Sequence, residues 1–424
     1  IILLSGGSGK RLWPLSNDIR SKQFIKIFKT DDGYESMVQR VYRQIKEVDD
    51  DASVTIATSK TQVSSIHNQL GNSVGVCVEP CRRDTFPAIA LATAYLHDVK
   101  GVGLDEAVVV CPVDPYVNND YFAALKDLSD LAEKGSANLS LMGIEPTYPS
   151  EKYGYIIPQN GEHISSVDTF KEKPTADVAA EYIARGALWN GGVFAYKLSY
   201  MINKAHELID FIDYQDLFSK YAAIKKISFD YAVAEHEKQI QVVRFAGMWK
   251  DLGTWNTLTE AMEETIIGKG ELNDKCSGVH IINELDVPVL AMGLHDVVIS
   301  ASAEGILVSD KEQSSYIKRL LEKTERGHKL LVPDGVPTDR VINAMQQFIL
   351  RHRDAICDPT AADRRITFHG LRHTYAAEKY TSLVSGGMTP LDAHFTVSRL
   401  LGHERPDVTN IYLASVKGGS VRGE

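Results

Sequence analysis

The segment SGGSGKRLWPLS, residues 5–16, places three glycines and then Lys10 and Arg11 directly after the apolar run IILL. Glycines let backbone N–H groups approach a ligand closely, and the two basic residues add positive charge at the same place. This combination predicts a cradle for an anion such as phosphate. A dinucleotide fingerprint would need glycine where the chain has Leu12, and a P-loop would need glycine where it has Leu4. A tight turn with charged neighbours is the simpler alternative.

Two aspartates elsewhere in the chain are candidates for metal binding. Asp114 ends the apolar run AVVVCPVD, and Asp251 lies in MWKDLGTW. Two carboxylates that meet over a polyphosphate would suit Mg²⁺, which prefers a few carboxylates together with phosphate oxygens. Such an ion would neutralise charge on the reacting phosphorus and on a leaving pyrophosphate. The alternative is that each aspartate only caps a helix or forms a turn.

The elements that must position these residues alternate between β and α up to about residue 255. Strands are predicted for IILLS, SVTIATS, GVCVEP, AVVVCPVD and LSLMGIEP, and helices for YESMVQRVYRQIKEV, DTFPAIALATAYLHDV and YFAALKDLSDLAEKG. This alternation predicts an α/β fold with a mixed, mostly parallel sheet and helices on both faces. Ligands bind at the carboxyl ends of strands in such sheets, so the glycine loop and Asp114 should face one crevice.

Two further regions follow the α/β part. Residues 268–312 contain short β runs and turn residues, which predict a small all-β appendage, and KEQSSYIKRLLEK then predicts a closing helix. The remainder predicts mainly α structure, with helices near 338–353, 371–385 and 390–402. We therefore predict three domains, with bounds 1–265, 266–322 and 323–424.

The composition limits the classes of function. The net charge is −10, whereas the part from residue 322 onward carries 14 Lys or Arg against 12 Asp or Glu. An acidic body argues against broad nucleic-acid binding. The five cysteines contain no CxxC pair and predict buried thiols in a reducing compartment. Neither a membrane span nor a signal sequence is indicated, so we expect a cytoplasmic protein.

Nine motifs occur in a fixed order and carry a family resemblance. They are GGSGKRLWPLS, KQF (22–24), EPCRRDTFPAIALA (79–92), PVD (112–114), YGYI (153–156), FKEKP (170–174), WNGGVF (189–194), SFDYAV (228–233) and WKDLGTW (249–255). Together they resemble the mannose-1-phosphate guanylyltransferases, or GDP-mannose pyrophosphorylases, of the bacterial long-chain type. The resemblance covers about residues 1–322 and implies a Rossmann-like nucleotidyltransferase fold.

The resemblance implies that GTP and mannose 1-phosphate react to GDP-mannose and pyrophosphate, with Mg²⁺ as cofactor. The sugar phosphate would attack the α-phosphorus in line, without a covalent enzyme intermediate. The roles it implies are catalysis by Arg11, Lys22, Asp114 and Asp251, with both aspartates as metal ligands; nucleotide binding by Gly6, Gly7, Gly9 and Arg83; and sugar-phosphate binding by Gly154, Glu172, Lys173 and Asn190.

The chain departs from the family pattern at four positions: Lys10, Ser21, Asp84 and Pro115. These departures leave the preferred base and sugar open, and the sequence does not decide the oligomeric state, although a homo-oligomer is possible. A nucleotide-sensing regulator without turnover is one alternative function. The family's isomerase domain is absent, so we predict no isomerase activity.

The tail resembles a different family. FHGLRHTYA (368–376) and LLGHERPDVTNIY (400–412) are similar to the catalytic half of tyrosine recombinases, or phage integrases. The resemblance implies that Tyr412 is a nucleophile toward a DNA phosphodiester held by Lys323, His369, Arg372 and His403. An earlier clamping arginine and a DNA-binding domain are missing, and the tail's charge is small for DNA binding. We therefore predict an inactive fragment, with DNA recombination as the alternative function.

Overall fold

A computed structural model gives the structure of the chain. It describes residues 1–7, 10–17, 20–321, 347, 368–386, 388–401 and 413. The chain divides into two compact units, Ile1–Ser315 and Tyr316–Glu424. The α/β part and the β region both belong to the first unit, whereas the sequence placed its last domain boundary at 322/323.

All five predicted β runs form strands, and the α/β part has thirteen described strands in total. They are β1 (Ile2–Ser5), β2 (Lys26–Thr30), β3 (Gly33–Ser36), β4 (Thr55–Ser59), β5 (Gly75–Glu79), β6 (Ala107–Pro112), β7 (Pro115–Val117), β8 (Leu139–Ile144), β9 (Tyr155–Pro158), β10 (Ile164–Lys171), β11 (Leu188–Lys197), β12 (Ile240–Phe245) and β13 (Trp249–Asp251). Nine of these described strands form one sheet in the order β5-β4-β1-β6-β11-β8-β12-β10-β9. Strands β5, β4, β1 and β6 are mutually parallel, and β11 is antiparallel to β6 and to β8. The prediction of a mixed sheet is therefore confirmed, but the prediction that it is mostly parallel is wrong. Among the described strands of this sheet four pairings are parallel and five are antiparallel, because β9, β10 and β11 all pair antiparallel with their neighbours.

Helices cover the sheet on both faces. The described helices of this part are α1 (Met37–Val48), α2 (Val63–Leu70), α3 (Thr85–Asp98), α4 (Asn119–Lys134), α5 (Ala176–Ala184), α6 (Leu198–Leu208), α7 (Tyr214–Lys220) and α8 (Trp255–Thr259). Alternate residues of one strand enter different cores: Leu3 belongs to the core with α1 and α4, and Ile2 to the core with α3 and α6. This alternation follows from the period-2 geometry of strands. Each fully buried aliphatic side chain contributes about 1.5–3 kcal/mol to the free energy of folding.

Two predicted helices begin or end differently in the structure. The first predicted helix starts at Tyr34, but residues 33–36 form β3, and α1 begins only after Ser36, whose hydroxyl caps it in a capping box with Gln39. The segment from 311 begins with a short 3₁₀ turn, Gln313–Tyr316, and α-helical structure follows only at residues 317–321. In both cases local hydrogen bonding decides the boundary, and periodicity alone does not show it.

The β region forms small sheets of its own. Its strands are β14 (Ile266–Gly268), β15 (Gly270–Leu272), β16 (His280–Asn283), β17 (Val289–Ala291), β18 (Val297–Ser302) and β19 (Gly305–Asp310). Strands β14, β16 and β18 pair in parallel, and β19 is antiparallel to β18. Ile281, Ala291 and Ile299 fill the small core between the sheets.

The β region contacts the segment that follows the glycine loop. The Ser302 hydroxyl donates a hydrogen bond to the Pro14 carbonyl over 2.9 Å. Gly305 has a φ of +147° and packs so closely on the indole of Trp13 that a Cβ there would lie 2.6 Å from the ring. The indole N–H of Trp255 donates to the Trp13 carbonyl over 3.2 Å. The β region therefore helps to hold residues 13–14 in place.

Besides the helical residues 317–321, the second unit contains two longer described helices, α9 (Phe368–Ser385) and α10 (Pro390–Leu400). Their small core consists of Ala376, Tyr380, Ala393, Val397, Leu401 and Leu413. Within the part of the chain that the structure describes, no helix is long and apolar enough to cross a bilayer.

The cysteines are less uniformly buried than predicted. Cys77 and Cys111 are buried, and burial raises the pKa of both thiols to about 12. Cys81 and Cys276 are only half-buried, because both lie outside the regular strands of the sheet. The prediction of buried thiols is therefore correct for two of these four described cysteines.

Candidate functional site

The glycine loop begins at the carboxyl end of β1, in the middle of the parallel strands. A buried polar network holds its base: Gln23 donates to the Ser5 hydroxyl over 2.9 Å, and Gln62 donates to the Ser21 hydroxyl over 2.6 Å. Gln62 also accepts from the Thr58 hydroxyl over 2.7 Å. Because buried polar groups are costly unless they are hydrogen-bonded, this network fixes the end of β1 and the segment before Lys22 relative to each other.

The structure brings together Lys22, Asp114 and Asp251, which are far apart in the chain. Strands β7 and β13 pair antiparallel with Asp251 opposite Pro115, so the two aspartates meet at one end of this ladder. The Lys22 ammonium lies 2.7 Å from Oδ2 of Asp114 and 3.7 Å from Oδ1 of Asp251. One cation therefore contacts both carboxylates.

The charges of Lys22, Asp114 and Asp251 influence the pKa values of Lys22 and Asp251. Burial lowers the pKa of Lys22, but the charges of Asp114 and Asp251 outweigh this effect, so its pKa stands above the usual value. Burial raises the pKa of Asp251, and the positive charges of Lys22 and Arg11 oppose that rise. Arg11 itself is exposed, in the 3₁₀ turn Lys10–Leu12. Its charge nonetheless reaches the carboxylate and the ammonium of the cluster.

The two aspartates fit a magnesium ion by their chemistry. Their side chains keep 36% and 43% of their surface exposed, so their oxygens remain accessible to a ligand. Among the described residues no group of three or more His, Cys, Asp or Glu could hold a metal ion. A site with two carboxylates leaves its other positions to water and phosphate, which is the coordination that Mg²⁺ prefers.

Two cavities lie beside Asp114. The first, which we call the acidic cavity, has a volume of about 240 Å³ and is lined by residues that include Asp114, Lys152, Gly154, Glu172, Asn190 and Asp251. The second, the glycine-loop cavity, has a volume of about 430 Å³ and is lined by residues that include Ser5, Gly6, Gly7, Arg82, Lys226 and Asp230. Both cavities share Pro112, Asp114 and Gly192. Ligands in the two cavities would therefore meet at Asp114.

The acidic cavity requires a glycine at position 154. A Cβ at this position would lie 2.5 Å from Oε2 of Glu172 and 3.3 Å from Cβ of Asn190. The Glu172 side chain is 6% exposed and forms an ion pair with Lys173, whose φ of +46° lies in the left-handed region. The predicted residues Gly154, Glu172 and Asn190 therefore line this cavity together, and Lys173 is connected to it through its ion pair with Glu172.

Asn190 is held by a residue to which the sequence assigned no role. Its Nδ2 donates to Oδ1 of Asp230 over 2.7 Å, and its Oδ1 accepts from the backbone N–H of Gly192 over 3.0 Å. Burial raises the pKa of Asp230 to about 6, the charge of Glu172 adds to this rise, and the hydrogen bond from Asn190 opposes it. Asp230 belongs to the motif SFDYAV and begins the π-helical turn Asp230–Ala234.

The glycine-loop cavity combines backbone, carboxylate and cationic groups. Gly6 and Gly7 line it, as predicted for the loop, and Arg82 and Lys226 add positive charge to its wall. Burial raises the pKa of Glu79, while the Tyr221 hydroxyl, which donates to its Oε2 over 2.8 Å, opposes the rise. A cavity with accessible backbone and two cations suits a ligand with several negative charges.

Arg83 lies differently from what its predicted role at the nucleotide would require, and that role stays a prediction. Its guanidinium donates to the Ala222 carbonyl, and it does not belong to the lining of the glycine-loop cavity. The neighbouring Arg82 lines the cavity instead. Two adjacent arginines before a helix point in different directions, and their order in the sequence does not reveal which one faces the crevice.

Several predicted site residues lie outside the described residues: Gly9, Lys323, His403 and Tyr412. His369 and Arg372 belong to α9, and the structure describes only the backbone at these two positions. The recombinase-like arrangement therefore stays a prediction that the structure does not test.

Four residues at the site were not predicted from the sequence. Gln23 supports the base of the glycine loop, and the other three line the glycine-loop cavity: Arg82, Lys226 and Asp230. Three of the four lie within motifs that carried the family resemblance: Gln23 in KQF, Arg82 in EPCRRDTFPAIALA and Asp230 in SFDYAV. A charged or amide residue inside such a motif was the available signal. Lys226 lies outside the motifs, and only the structure shows its position.

Fold and site together define an α/β protein whose ligand crevice lies at the carboxyl edge of a mixed sheet, with carboxylates and cations arranged for phosphate chemistry. The chain belongs to the nucleotidyl transferase family, which matches residues 1–266. The predicted nucleotidyltransferase fold is thus confirmed. The family match does not extend to the tail, so the comparisons do not support the resemblance of residues 323–424 to recombinases.

Individual relatives agree with this assignment. A mannose-1-phosphate guanylyltransferase of Klebsiella pneumoniae is 30% identical over 363 residues, which cover 76% of this chain and 73% of that protein. The xanthan biosynthesis protein XanB of Xanthomonas campestris pv. campestris is 28% identical over 348 residues, with 76% and 72% covered. A crystal structure described as mannose-1-phosphate geranyltransferase from Thermus thermophilus superimposes with a TM-score of 0.64 at 26% identity, covering 76% of this chain and 98% of that one.

Proposed function

We propose that this chain is an enzyme that makes GDP-mannose and pyrophosphate from GTP and mannose 1-phosphate. The observation that carries the proposal is the position of Asp114 on the border of two cavities, in contact with Lys22. A reaction between two phosphate compounds needs two adjoining sites with a charged group at their junction. The similarity to relatives named mannose-1-phosphate guanylyltransferase supports the choice of substrates.

In the proposed reaction, GTP occupies the glycine-loop cavity and mannose 1-phosphate occupies the acidic cavity. A phosphate oxygen of the sugar phosphate attacks the α-phosphorus of GTP, and the bond from that phosphorus to the β,γ-pyrophosphate breaks. No covalent bond to the protein forms. The contribution of the protein is therefore the alignment of the two substrates and the stabilisation of negative charge.

The cations of the site have separate tasks in this proposal. Lys22 and Arg11 contact phosphate oxygens, where charge-assisted hydrogen bonds are strong. The backbone of Gly6, Gly7 and Gly9 holds the nucleotide, and Arg82 and Lys226 take the supporting role that the sequence had given to Arg83.

The remaining side chains hold the sugar phosphate and the metal. Glu172, Lys173 and Asn190 contact the sugar phosphate, and Gly154 leaves room for it. Asp114 and Asp251 would hold Mg²⁺, which supplies positive charge against the phosphates when it is bound. The Lys22 ammonium, which contacts both aspartates, keeps their charge compensated before substrates arrive.

A matrix of nucleoside triphosphates against sugar 1-phosphates, with pyrophosphate release as the readout, tests the proposed function. We expect the highest kcat/KM for GTP with mannose 1-phosphate and release that requires both substrates. A higher kcat/KM for UTP or dTTP with glucose 1-phosphate would contradict the proposed substrates. Pyrophosphate release without any sugar phosphate would contradict the proposed reaction.

A further inference from the structure

Asp230 connects the two cavities. Its side chain lines the glycine-loop cavity, and its Oδ1 accepts a hydrogen bond over 2.7 Å from Asn190, which lines the acidic cavity. Within the described residues no other hydrogen bond between side chains joins the lining of one cavity to that of the other in this way. The nucleotidyltransfer chemistry described above gives Asp230 no task of its own.

The neighbours of Asn190 permit only one orientation of its carboxamide. The backbone N–H of Gly192 is a donor and requires the amide oxygen, which lies 3.0 Å away. The carboxylate of Asp230 is an acceptor and requires the amide nitrogen. If the carboxamide turned by 180°, its N–H groups would face the N–H of Gly192 and its oxygen would face the carboxylate of Asp230. Both neighbours therefore select the same orientation.

This orientation determines what Asn190 can offer to a ligand. The amide nitrogen carries two N–H groups, of which Asp230 takes one. The other N–H is a donor and can bind an oxygen of a phosphate or a hydroxyl group. Without Asp230 the buried half of the carboxamide would lose its acceptor, and the free energy that holds its orientation would fall.

We propose that Asp230 is a positioning residue, which fixes the Asn190 carboxamide so that its free N–H binds an oxygen of the sugar 1-phosphate. This inference rests on the proposed function, because that function places the sugar phosphate in the acidic cavity. Asp230 acts through Asn190, so its removal should weaken binding of the sugar phosphate only while Asn190 is present.

A double-mutant cycle separates this action from a purely structural one. It compares Asp230→Ala, Asn190→Ala and the double variant, with the KM for mannose 1-phosphate, the KM for GTP and kcat measured for each. Asp168→Ala, which removes an exposed carboxylate from strand β10, is the matched control. Asp230→Asn keeps an oxygen acceptor of the same size at the same place.

We expect Asp230→Ala to raise the KM for mannose 1-phosphate about tenfold, which corresponds to the loss of one charge-assisted hydrogen bond. In the Asn190→Ala background the same change should add less than about twofold. Asp230→Asn should recover most of the loss, since Asn190 keeps its acceptor, and Asp168→Ala should match the unmodified protein. If Asp230→Ala does not fold, Asp230→Glu replaces it, because its carboxylate is displaced by one methylene.

Three results would overturn the inference. An unchanged KM in Asp230→Ala, together with a raised KM in Asn190→Ala, would remove the positioning role and leave the proposed function intact. If Asp230→Ala raised the KM for mannose 1-phosphate equally with and without Asn190, Asp230 would not act through Asn190. An unchanged KM in Asn190→Ala would remove both this inference and the sugar-phosphate role of Asn190.

Discussion

The acidic cavity and the glycine-loop cavity adjoin at Asp114, but they are built in different ways. Two carboxylates that line the acidic cavity are already paired with lysines, Asp114 with Lys22 and Glu172 with Lys173. The glycine-loop cavity is larger, and backbone from Gly6 and Gly7 forms part of its wall. A ligand of the acidic cavity therefore meets side chains that are held by ion pairs, whereas a ligand of the glycine-loop cavity has more room and meets main-chain groups.

This difference suggests how the two substrates are recognised. A ligand of the acidic cavity must exchange existing ion pairs for new ones, so small displacements of side chains should change its affinity strongly. A ligand of the glycine-loop cavity meets backbone donors that do not need to move. We therefore expect substitutions in the two cavities to change different KM values, and substitutions at the shared residue to change kcat.

Asp114→Asn should have the largest effect, because this residue borders both cavities and contacts Lys22. We expect kcat for pyrophosphate release to fall by about 10²–10³-fold, the range observed when one electrostatic group of an active site is removed. Circular dichroism should show an unchanged fold. Asp105→Asn, at an exposed position before β6, is the control. Unchanged release would refute the assignment of Asp114 to the reaction.

Gly154→Ala should act on the acidic cavity alone. The added Cβ would meet Oε2 of Glu172 at 2.5 Å, so Glu172 must shift, and we expect the KM for mannose 1-phosphate to rise about tenfold. The KM for GTP should change less than twofold. At Gly161 a Cβ meets nothing within 4 Å, so Gly161→Ala is the control. Equal rises in both KM values would contradict the separation of the cavities.

Lys226→Gln should act on the glycine-loop cavity alone, and more weakly. The loss of one partly solvated cation on its wall should raise the KM for GTP by about threefold, because such charges are screened by water. The neighbouring Lys225 lines a different cavity of about 540 Å³, so Lys225→Gln is a matched control. A change in the KM for mannose 1-phosphate, rather than for GTP, would contradict this placement.

The smallest effect that we expect is a change in the free energy of unfolding, caused by the ionisation of Asp230. The fold raises the pKa of Asp230 from an ordinary 3.8 to about 6, so its stabilising contribution is fully present below about pH 4 and is lost as the pH rises through 6. Asp230→Asn removes this titration. At pH 8 the variant should therefore be more stable by about 1–2 kcal/mol, and at pH 4 the gain should be absent. Thermal melts at both pH values measure it, and a gain that is independent of pH would contradict the assignment.

The sequence predicted five of the thirteen described strands and three of the eight described helices of the α/β part, namely those that strong periodicity marks. Apolar runs such as AVVVCPVD and helices such as α4 appear in the structure within a few residues of the predicted bounds. The β region was also recognisable from its short runs and turns. The start of α1 was not, since the capping by Ser36 follows a strand that the helical pattern conceals.

The site was predictable only in part. The family resemblance placed Lys22, Asp114 and Asp251 in one reaction, and the structure brings Lys22 into contact with both aspartates. It could not distinguish Arg82 from Arg83, because side-chain direction before a helix depends on packing against residues such as Ala222. It also could not find the bond between Asn190 and Asp230, which joins a strand to a π-helical turn distant in the chain.

The contacts of the β region with Trp13 and Pro14 have a consequence for modularity. Gly305 and Ser302 pack against Trp13 and Pro14, which follow the glycine loop. The sequence pattern changes near residue 265, but these contacts show that the protein cannot be divided there without loss of packing. A shortened protein that stopped there would keep every predicted catalytic side chain, yet its indole at position 13 would face water and the loop would lose its outer support. We therefore expect exchange of β regions between relatives to change the affinity for GTP, although no predicted site residue lies in the β region.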